Sequence, residues 1–246
     1  ASAVTMASTL AVTGNVDFNG DLDVDGTANL DIVDVDGAVN FAADVTFADG
    51  ADIITASAGT SNFRAGVNAG NSIASGGNYN VVVGDEAGTA ITTGDGNVAV
   101  GFEALKTEDA NNANTAIGHQ ALKTLNAGAT GYNTAVGFTA GIAMTTGTAN
   151  TLIGGVAGDA LTSGSENVAV GVSALTTDTL GKKAVALGNG ALGVQNFTSA
   201  TDNYNVGVGY LAGGSVTTAT FNTLIGGLAG DAITTGGANT AVGYSA

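Results

Sequence analysis

Proline, cysteine and tryptophan are absent from this chain of 246 residues, and aromatic residues make up only 5% of it. A conventional core of aromatic and large aliphatic side chains is hard to build from such a composition. The 40 glycines alone are compatible with disorder, but 44% of the residues are apolar and recur at regular positions. Short strands that pack Val, Ile, Leu and Ala, with glycine at tight corners, fit better. The absence of cysteine leaves the redox compartment open.

Positive charge is scarce: 5 basic residues stand against 21 acidic ones, which gives a net charge of −16. The basic residues are Arg64, Lys106, Lys123, Lys182 and Lys183. Because nucleic-acid binding needs a basic surface, this composition excludes a nucleic-acid partner and disfavours an anionic membrane surface. No apolar run approaches the roughly 20 residues of a membrane span, so no membrane insertion is predicted. The acidity favours solubility and leaves cation binding open.

The chain is dominated by a short phrase, Asn-x-x-x-Gly-x-x-Ala-(Gly or Leu), that recurs eleven times between Asn62 and the C-terminus. Seven of the ten spacings between its glycines are 17 residues, and the others are 18, 19 and 21. Such a period indicates a repeat architecture in which each unit buries its apolar face only against its neighbours. Representative repeat positions are Asn97, Gly101, Ala104, Asn114, Gly118, Ala121, Asn133, Gly137 and Ala140, and only Ala184 interrupts the asparagine series.

Each repeat predicts a short strand, a glycine corner, a second short segment and a Thr/Gly-rich turn. The strand positions are Val81–Val83, Val98–Val100, Thr115–Ile117, Thr134–Val136, Thr151–Ile153, Val168–Val170, Val185–Leu187, Val206–Val208, Thr223–Ile225 and Thr240–Val242. The first and third residues share one face of the strand and the middle residue lies on the other. Both faces are apolar or small, and a single-chain coil covers only one of them. Lateral packing of three coils around a threefold axis is therefore predicted.

The repeated asparagine and alanine have predicted structural roles. An asparagine amide stacked one coil above the next can donate and accept hydrogen bonds along the axis, and can cap backbone groups at the corner. The alanine three residues after each glycine fits a crowded position that accommodates only a small side chain.

Residues up to about 60 follow a different pattern, in which apolar pairs such as Leu10/Val12 and Val16/Phe18 recur every six residues. Within each pair the alternation is that of a strand with one buried face. Because each unit is too short to bury this face alone, three chains around a shared axis are predicted. The phase slips by one residue near Asp31–Asp34, which indicates a bulge or a kink.

The predicted fold is an all-β, fibrous, trimeric β-solenoid. Residues 1–60 form an acidic hexad-repeat stalk, a triple-stranded β-helix or β-prism. Residues 61–246 form a β-roll shaft of coils of about 17 residues. With roughly 4.8 Å for each stacked strand, the shaft is about 50 Å long.

The Asn-Thr-Ala-Val-Gly phrase, at Asn133–Gly137 and Asn239–Gly243, resembles repeats in tail-fibre and other appendage proteins of tailed bacteriophages. In that group such repeats often precede a C-terminal self-cleaving chaperone domain. The stretch from Leu10 to Gly37 looks like stalk segments of marine, cyanophage-like fibres. The repeat phrase is also similar to the head repeats of trimeric autotransporter adhesins, which form a left-handed β-roll trimer.

This resemblance implies a homotrimer that contacts other virion or tail proteins, and a host surface receptor or glycan as a further partner. The chain begins at Ala1, ends within a repeat after Gly243, and contains no chaperone domain. A fragment of a longer fibre, or a processed chain, is therefore expected.

Two candidate chemistries are weaker than their structural alternatives. Asp21–Gly26 matches the opening of a calcium loop, but position twelve is Ile32 where a bidentate glutamate is needed. A solvated acidic strand face is favoured, with a looser cation site between chains, at Asp21 to Asp25 or at Asp34 and Asp36, as the alternative.

His119, the single histidine, raises the comparison with trimeric left-handed β-helix acyltransferases. Those enzymes have about 18 residues per coil, whereas His119 lies among coils of 17 in a position elsewhere filled by Phe102, Phe138 or Tyr210. An anionic cofactor would find little positive charge, so no catalytic residue and no cofactor are predicted. An ice-binding solenoid needs a regular threonine array, but here threonine alternates with valine.

Departures from the period are the better leads to a binding site. Extra residues enter at Asn126–Gly131 and Gln195–Tyr204, and insertions in solenoids form loops that carry specificity. The candidate receptor-contact residues are Tyr132, Lys182, Lys183, Phe197 and Tyr204. The alternative is that these loops have no function.

The predicted function is structural: a rigid trimeric shaft of a phage tail fibre or similar virion appendage, outside the cell, that supports host attachment. The alternative is a cell-surface or secreted trimeric adhesin or filament of a bacterium. No enzymatic activity is predicted.

Overall fold

The computed structural model describes Val39, residues 57–128 and residues 130–246. The chain divides into two units, Ala1–Ala51 and Asp52–Ala246, and the second contains nearly all of the described residues. The predicted hexad stalk, its phase slip and the acidic positions from Asp21 to Asp36 lie outside the described residues. They remain predictions.

The described part of the chain contains β-strands and turns but no α-helix. Its strands are β1 Phe63–Ala65, β2 Val81–Val83, β3 Val98–Val100, β4 Thr115–Ile117, β5 Thr134–Val136, β6 Thr151–Ile153, β7 Val168–Val170, β8 Gly181–Lys182, β9 Val185–Leu187, β10 Thr201–Asp202, β11 Val206–Val208, β12 Thr223–Ile225 and β13 Thr240–Val242. Eleven of them form one parallel sheet in the order β1-β2-β3-β4-β5-β6-β7-β9-β11-β12-β13. This is an all-β solenoid of about eleven coils, as predicted.

Register is kept throughout the sheet, even where the repeat is longer than 17 residues. Thr115 pairs with Thr134 across a 19-residue spacing, and Val185 pairs with Val206 across a 21-residue spacing. The extra residues are therefore absorbed between the strands of this sheet, and those of the second insertion include β10. All ten predicted strands are confirmed at their predicted bounds. The pattern missed β1 and the small separate sheet in which β10 pairs with β8 in parallel.

In the nine inner strands of the large sheet, β2 to β7, β9, β11 and β12, the middle residue points into the coil, and the first and third residues point outward. Ala99 at the centre of β3 is completely buried, whereas its neighbours Val98 and Val100 are partly exposed. The same pattern holds in β5, β7, β9 and β11. The solenoid interior is thus narrow, and a second apolar face remains on the outside.

The corner glycine that follows each strand is required for two reasons. Gly101 has φ +129°, a backbone conformation that residues with a side chain rarely adopt. A Cβ atom at Gly101 would also lie 2.5 Å from the carbonyl oxygen of Gly118 in the next coil. The backbones of successive corners stack too closely for any side chain between them.

The interior is filled by two kinds of coil. Where the residue after the repeat alanine is leucine, as at Leu105, the middle strand residue is alanine. Where it is glycine, as at Gly88, Val82 and Ile91 occupy the same space, since a Cβ at Gly88 would lie 2.5 Å and 2.8 Å from their side-chain atoms. In the β5 coil both positions are small, Ala135 and Gly141, and leucines of the adjacent coils fill the space, since a Cβ at Gly141 would lie 2.8 Å and 2.9 Å from side-chain atoms of Leu152 and Leu122. The interior is thus closely packed from different positions in different coils.

Three further positions in each coil adopt left-handed backbone conformations without requiring glycine. They are the residue before the asparagine and the second and fourth residues after the corner glycine, for example Ala113, Glu103 and Leu105 with φ +60°, +53° and +52°. Each costs about 1–2 kcal/mol in isolation. The backbone N–H of each donates to a neighbouring coil, at 3.0 Å in all three cases, so stacking holds the turns in place.

Candidate functional site

The repeated asparagines form a buried hydrogen-bonded ladder along the solenoid. Asn150 Oδ1 accepts the backbone N–H of Asn167 at 3.0 Å, and Asn150 Nδ2 donates to Gly164 O at 2.9 Å and to Asn133 Oδ1 at 3.1 Å. Asn97, Asn114 and Asn133 make the corresponding bonds to their neighbours. The predicted axial bonding and corner capping by asparagine are therefore confirmed.

At Ala184 the ladder lacks its side chain, and residues of the following insertion replace it. Asn205 N, which would otherwise donate to an asparagine at position 184, donates to Asn203 Oδ1 at 2.9 Å. Asn205 Nδ2 donates to Gln195 Oε1 at 2.8 Å, and Gln195 Nε2 donates to Asp178 Oδ2 at 2.6 Å. All of these side chains except Ala184 are polar and buried. The insertion thus supplies the hydrogen-bonding groups that the ladder lacks at Ala184.

The remaining repeat positions lie where the pattern placed them. Ala104, Ala121 and Ala140 are fully buried, which confirms the crowded alanine position. Gly118 and Gly137 have φ of +135° and +143° and lie directly at the stacked corners. These residues form the interior and the corners of the solenoid.

The outward side of the sheet carries an uncharged and mainly apolar surface, here called the strand face. It consists of the first and third residues of the eleven strands, which are Phe, Ala, Val, Leu, Ile or Thr in every case. No charged residue interrupts it, in a chain with a net charge of −16. Its more exposed members include Ile117 at 39%, Ile153 at 38% and Val242 at 66%.

Two columns flank the strand face. The residue before each asparagine forms the leading rim: Ser61, Tyr79, Gly96, Ala113, Tyr132, Ala149, Glu166, Lys183, Tyr204, Phe221 and Ala238. The residue after each corner glycine forms the trailing rim: Val67, Asp85, Phe102, His119, Phe138, Gly155, Val172, Asn189, Tyr210, Gly227 and Tyr244. Apart from Val39 and Val194, every exposed large hydrophobic side chain of the described residues lies on the strand face or a rim. The exposed apolar surface is therefore confined to one side of the solenoid.

His119 lies on the trailing rim and is exposed. Its ring stacks between Phe102 and Phe138, with centroid distances of 5.2 Å and 5.1 Å. The side chain thus continues an aromatic column at the wall of the shaft, in the position that the repeat predicted.

Four of the five predicted contact residues have exposed or partly exposed side chains. Lys183 Nζ forms an ion pair with Asp202 Oδ2 at 2.6 Å. It also donates a hydrogen bond to the hydroxyl oxygen of Tyr204 at 3.2 Å and lies over the ring of Tyr204. The hydrogen bonds to Asp202 and to Tyr204 raise the pKa of Lys183 above its usual value. Tyr132 is exposed by 67%, and Lys182 lies in β8.

Phe197 is a correction, because its side chain is only 5% exposed and does not project from a loop. Its backbone N–H donates to Asp178 Oδ1 at 3.0 Å, and its carbonyl accepts a bond from Thr179 Oγ1 at 2.9 Å. The insertion folds back onto the preceding coil, which buries the ring. Phe197 is therefore a structural residue.

The basic side chains do not form a basic patch. Glu103 Oε1 and Oε2 lie 2.7 Å and 2.6 Å from Lys106 Nζ and Lys123 Nζ, and Lys106 also lies 3.5 Å from Glu86. The hydrogen bonds from Lys106, Lys123 and Gln120 lower the pKa of Glu103 to about 2. These charges bind one another on the surface of the shaft.

Two carboxyl groups lie in the interior, at equivalent positions of two leucine-type coils. Glu108 Oε1 accepts the N–H of Asn111 at 3.0 Å, and Asp178 Oδ1 accepts the N–H of Gly181 at the same distance. Burial raises the pKa of both groups. Glu108 Oε2 has no hydrogen-bond partner, so the neutral form of Glu108 suits its surroundings better than the charged form.

Neither a metal site nor a membrane span is found in the part of the chain that the structure describes. No cluster of three or more His, Cys, Asp or Glu side chains could hold a metal ion among the described residues. Across those same residues, no helix has the length and apolar character needed to cross a membrane.

Comparisons with protein-family models, with curated proteins and with solved structures gave no match. The class of the protein therefore follows from its fold: it is a parallel β-solenoid built from a repeat of about 17 residues.

Proposed function

We propose that this chain is the rigid shaft of a homotrimeric virion appendage, such as the tail fibre of a bacteriophage, located outside the cell. The observation that carries the proposal is the strand face, an uncharged and mainly apolar surface on one side of the solenoid. A shaft that stands alone in water would leave this surface exposed along its whole length.

The size of the surface supports the packing of copies against one another. Eleven strands at about 4.8 Å give a height of about 50 Å, and the strand face with its rims is about 20 Å wide, which makes roughly 1,000 Å². Not all of this area is apolar, because the rims also carry Asp85, Glu166 and Lys183. A standard protein–protein interface buries about 800 Å² on each partner, so the surface is large enough to bind copies of the chain. Association through the strand face accounts for an apolar outside that the coil cannot cover.

The backbone supports a mechanical function. Consecutive coils are joined by in-register strands, by the asparagine ladder and by hydroxyl groups such as that of Thr162, which donates to Thr179 O at 3.1 Å. Bending the shaft requires many of these bonds to be distorted together. Contacts with other virion proteins and with a host receptor or glycan belong to the same proposal, with the receptor contacts at parts of the insertions outside the strand face and its rims, such as the region of Lys182 in β8.

The test of the shaft is the mass of the purified chain by light scattering after size exclusion, before and after mild SDS treatment. We expect the mass of three chains. Ile153→Asp, on the strand face, should yield single chains, whereas Val194→Asp should not. Val194 is a matched control because it is 45% exposed but lies away from the strand face. A wild-type mass of one chain, or equal behaviour of the two variants, would refute association through this face.

The location is tested with antibodies against the purified chain, applied to virus particles and to cells from the source culture in immunoelectron microscopy. Labelling of particle appendages is expected. Labelling of the cell surface, together with a signal sequence and membrane anchor in the full-length gene, would instead favour the adhesin.

A further inference from the structure

We infer that the two rims of the strand face form a seam between copies, with the leading rim of one copy packed on the trailing rim of the next, coil against equivalent coil. The inference rests on the proposed trimeric shaft and adds the surface and register of its contacts. The partner is a second copy of this chain.

The width of the face fits three copies. Facing sheets pack about 10 Å apart, so a face lies about 5 Å from a shared axis, and a triangle with this inner radius has sides of about 17 Å. The leading rim precedes the trailing rim by six residues, as Gly96 precedes Phe102. Six extended residues span about 20 Å at most. Each rim therefore reaches a corner of the triangle, and threefold rotation brings unlike rims together.

Equivalent coils lie at nearly the same height along the axis. A coil of about 17 residues climbs one strand spacing of about 4.8 Å, so the six residues between the rims climb less than about 2 Å. The residues that meet across the seam are thus those of the same repeat.

The two rims have complementary sizes at the C-terminal end. Phe221 of the β12 coil is 58% exposed and would face Gly227. The β13 coil reverses this arrangement, because Ala238 would face Tyr244, which is 80% exposed. A large ring on one rim is matched by a small residue on the other.

The same matching recurs near the middle of the shaft. Gly96 would face Phe102, and Ala113 would face His119, in consecutive coils. The small leading-rim residues thus lie opposite two rings of the stacked aromatic column. In the β2 coil Tyr79 would face Asp85, where a phenol can donate to a carboxylate.

The β5 coil departs from this pattern, since Tyr132 and Phe138 place rings on both rims, as the β11 coil also does. The next coil after β5 has no ring on either rim, only Ala149 and Gly155. A Cβ atom at Gly155 would meet nothing within 4 Å. The open space beside Phe138 accommodates the second ring.

Disulfide trapping tests the seam without background because the chain contains no cysteine. The variant carries Ala149→Cys and Gly155→Cys, both of which lie on the surface. Within one chain the two positions flank a strand and are too far apart for a disulfide, which needs Cα atoms within about 7 Å. Across the seam they would be close. After mild oxidation and boiling in SDS without reductant, we expect a covalent trimer.

Three controls define the seam. Ala149→Cys alone and Gly155→Cys alone should give no cross-link, because unlike rims meet. Ala149→Cys combined with Gly227→Cys should give none either, since the two residues lie four coils, or about 19 Å, apart along the axis. At Gly227 a Cβ makes only ordinary contacts, at 3.5 Å and 3.8 Å, with the ring of Tyr244.

The outcomes separate the seam from the shaft. A wild-type mass of three chains with no cross-link in the paired variant, or with cross-links in any control, overturns the seam and leaves the trimeric shaft intact. A wild-type mass of one chain overturns both. As a second readout, Gly227→Phe should lower the temperature at which the trimer dissociates, and adding Phe221→Ala should restore it. Failure of the restoration contradicts the seam.

Discussion

Replacing Asn150 by alanine removes a side chain that connects three consecutive coils. The carbonyl of Gly164 then loses its donor, now at 2.9 Å, and the N–H of Asn167 loses its acceptor, now at 3.0 Å. Both groups are buried where water cannot replace the lost partner, since Asn150, Gly164 and Asn167 are all inaccessible. The substitution thus leaves two buried backbone groups without a hydrogen-bond partner, together with a small void.

Each buried backbone group left without a partner costs about 1–3 kcal/mol, so Asn150→Ala should lower the free energy of unfolding by about 2–6 kcal/mol. Urea unfolding followed by far-ultraviolet circular dichroism measures the loss. Because a solenoid can open one coil at a time, hydrogen exchange of the Asn167 amide gives the local value. Faster exchange is expected there and not in coils several repeats away.

The matched control is Asn126→Ala, which truncates an exposed asparagine in a turn. Exposed substitutions of this kind change stability by less than about 0.5 kcal/mol. The hydrogen bonds that replace the missing asparagine at Ala184 provide a second comparison. Asn203→Ala should lower the free energy of unfolding by about 1–3 kcal/mol, because Asn205 N then loses its acceptor. If Asn150→Ala behaved like Asn126→Ala, the ladder would not stabilise the shaft and the reasoning would be wrong.

Three other substitutions test the packing of the coil. Gly101→Val should prevent folding, because the new side chain would meet the next corner at 2.5 Å, whereas Gly155→Ala, in open space, should keep the wild-type melting temperature. Val156→Asn should raise the free energy of unfolding by about 1 kcal/mol, since Val156 has φ +53° and asparagine tolerates that conformation; Val172→Asn, as the control in urea unfolding, should bring no gain. The raised pKa of Glu108 means that the folded chain holds this proton more tightly than the unfolded chain. The stabilising contribution of the protonated Glu108 is therefore complete below the usual glutamate pKa near 4.3. It is lost as the pH rises through the pKa that Glu108 has in the folded chain. Glu108→Gln should match the wild type at pH 4 and exceed it in urea unfolding at pH 7; an identical pH profile for both would contradict a neutral Glu108.

The strand positions could be predicted from sequence because β-branched residues alternate with a small residue and end at a fixed glycine. The pattern could not tell which face lies inside, since Val98, Ala99 and Val100 are all apolar or small. The available space determines which face is buried. Because the stacked corners leave a narrow interior, the small Ala99 points inward and the two valines point outward. Phe197 was mispredicted because an insertion in a repeat indicates a loop, whereas here the extra residues fold back to bond Asp178 and replace the missing rung at Ala184.

The interior polar groups have a partial sequence signal in the choice between glycine and leucine after the repeat alanine. Three residues later the glycine coils carry an apolar side chain such as Ile91, whereas the leucine coils of Leu105 and Leu175 carry Glu108 and Asp178, which accept a backbone N–H. The leucine coil of Leu122 carries the buried Leu125 instead. Leucine thus permits a buried polar group at this point but does not specify one. Since the strand face is the same in both kinds of coil, the interior can vary along the shaft while the surface offered to a neighbouring copy stays uniform.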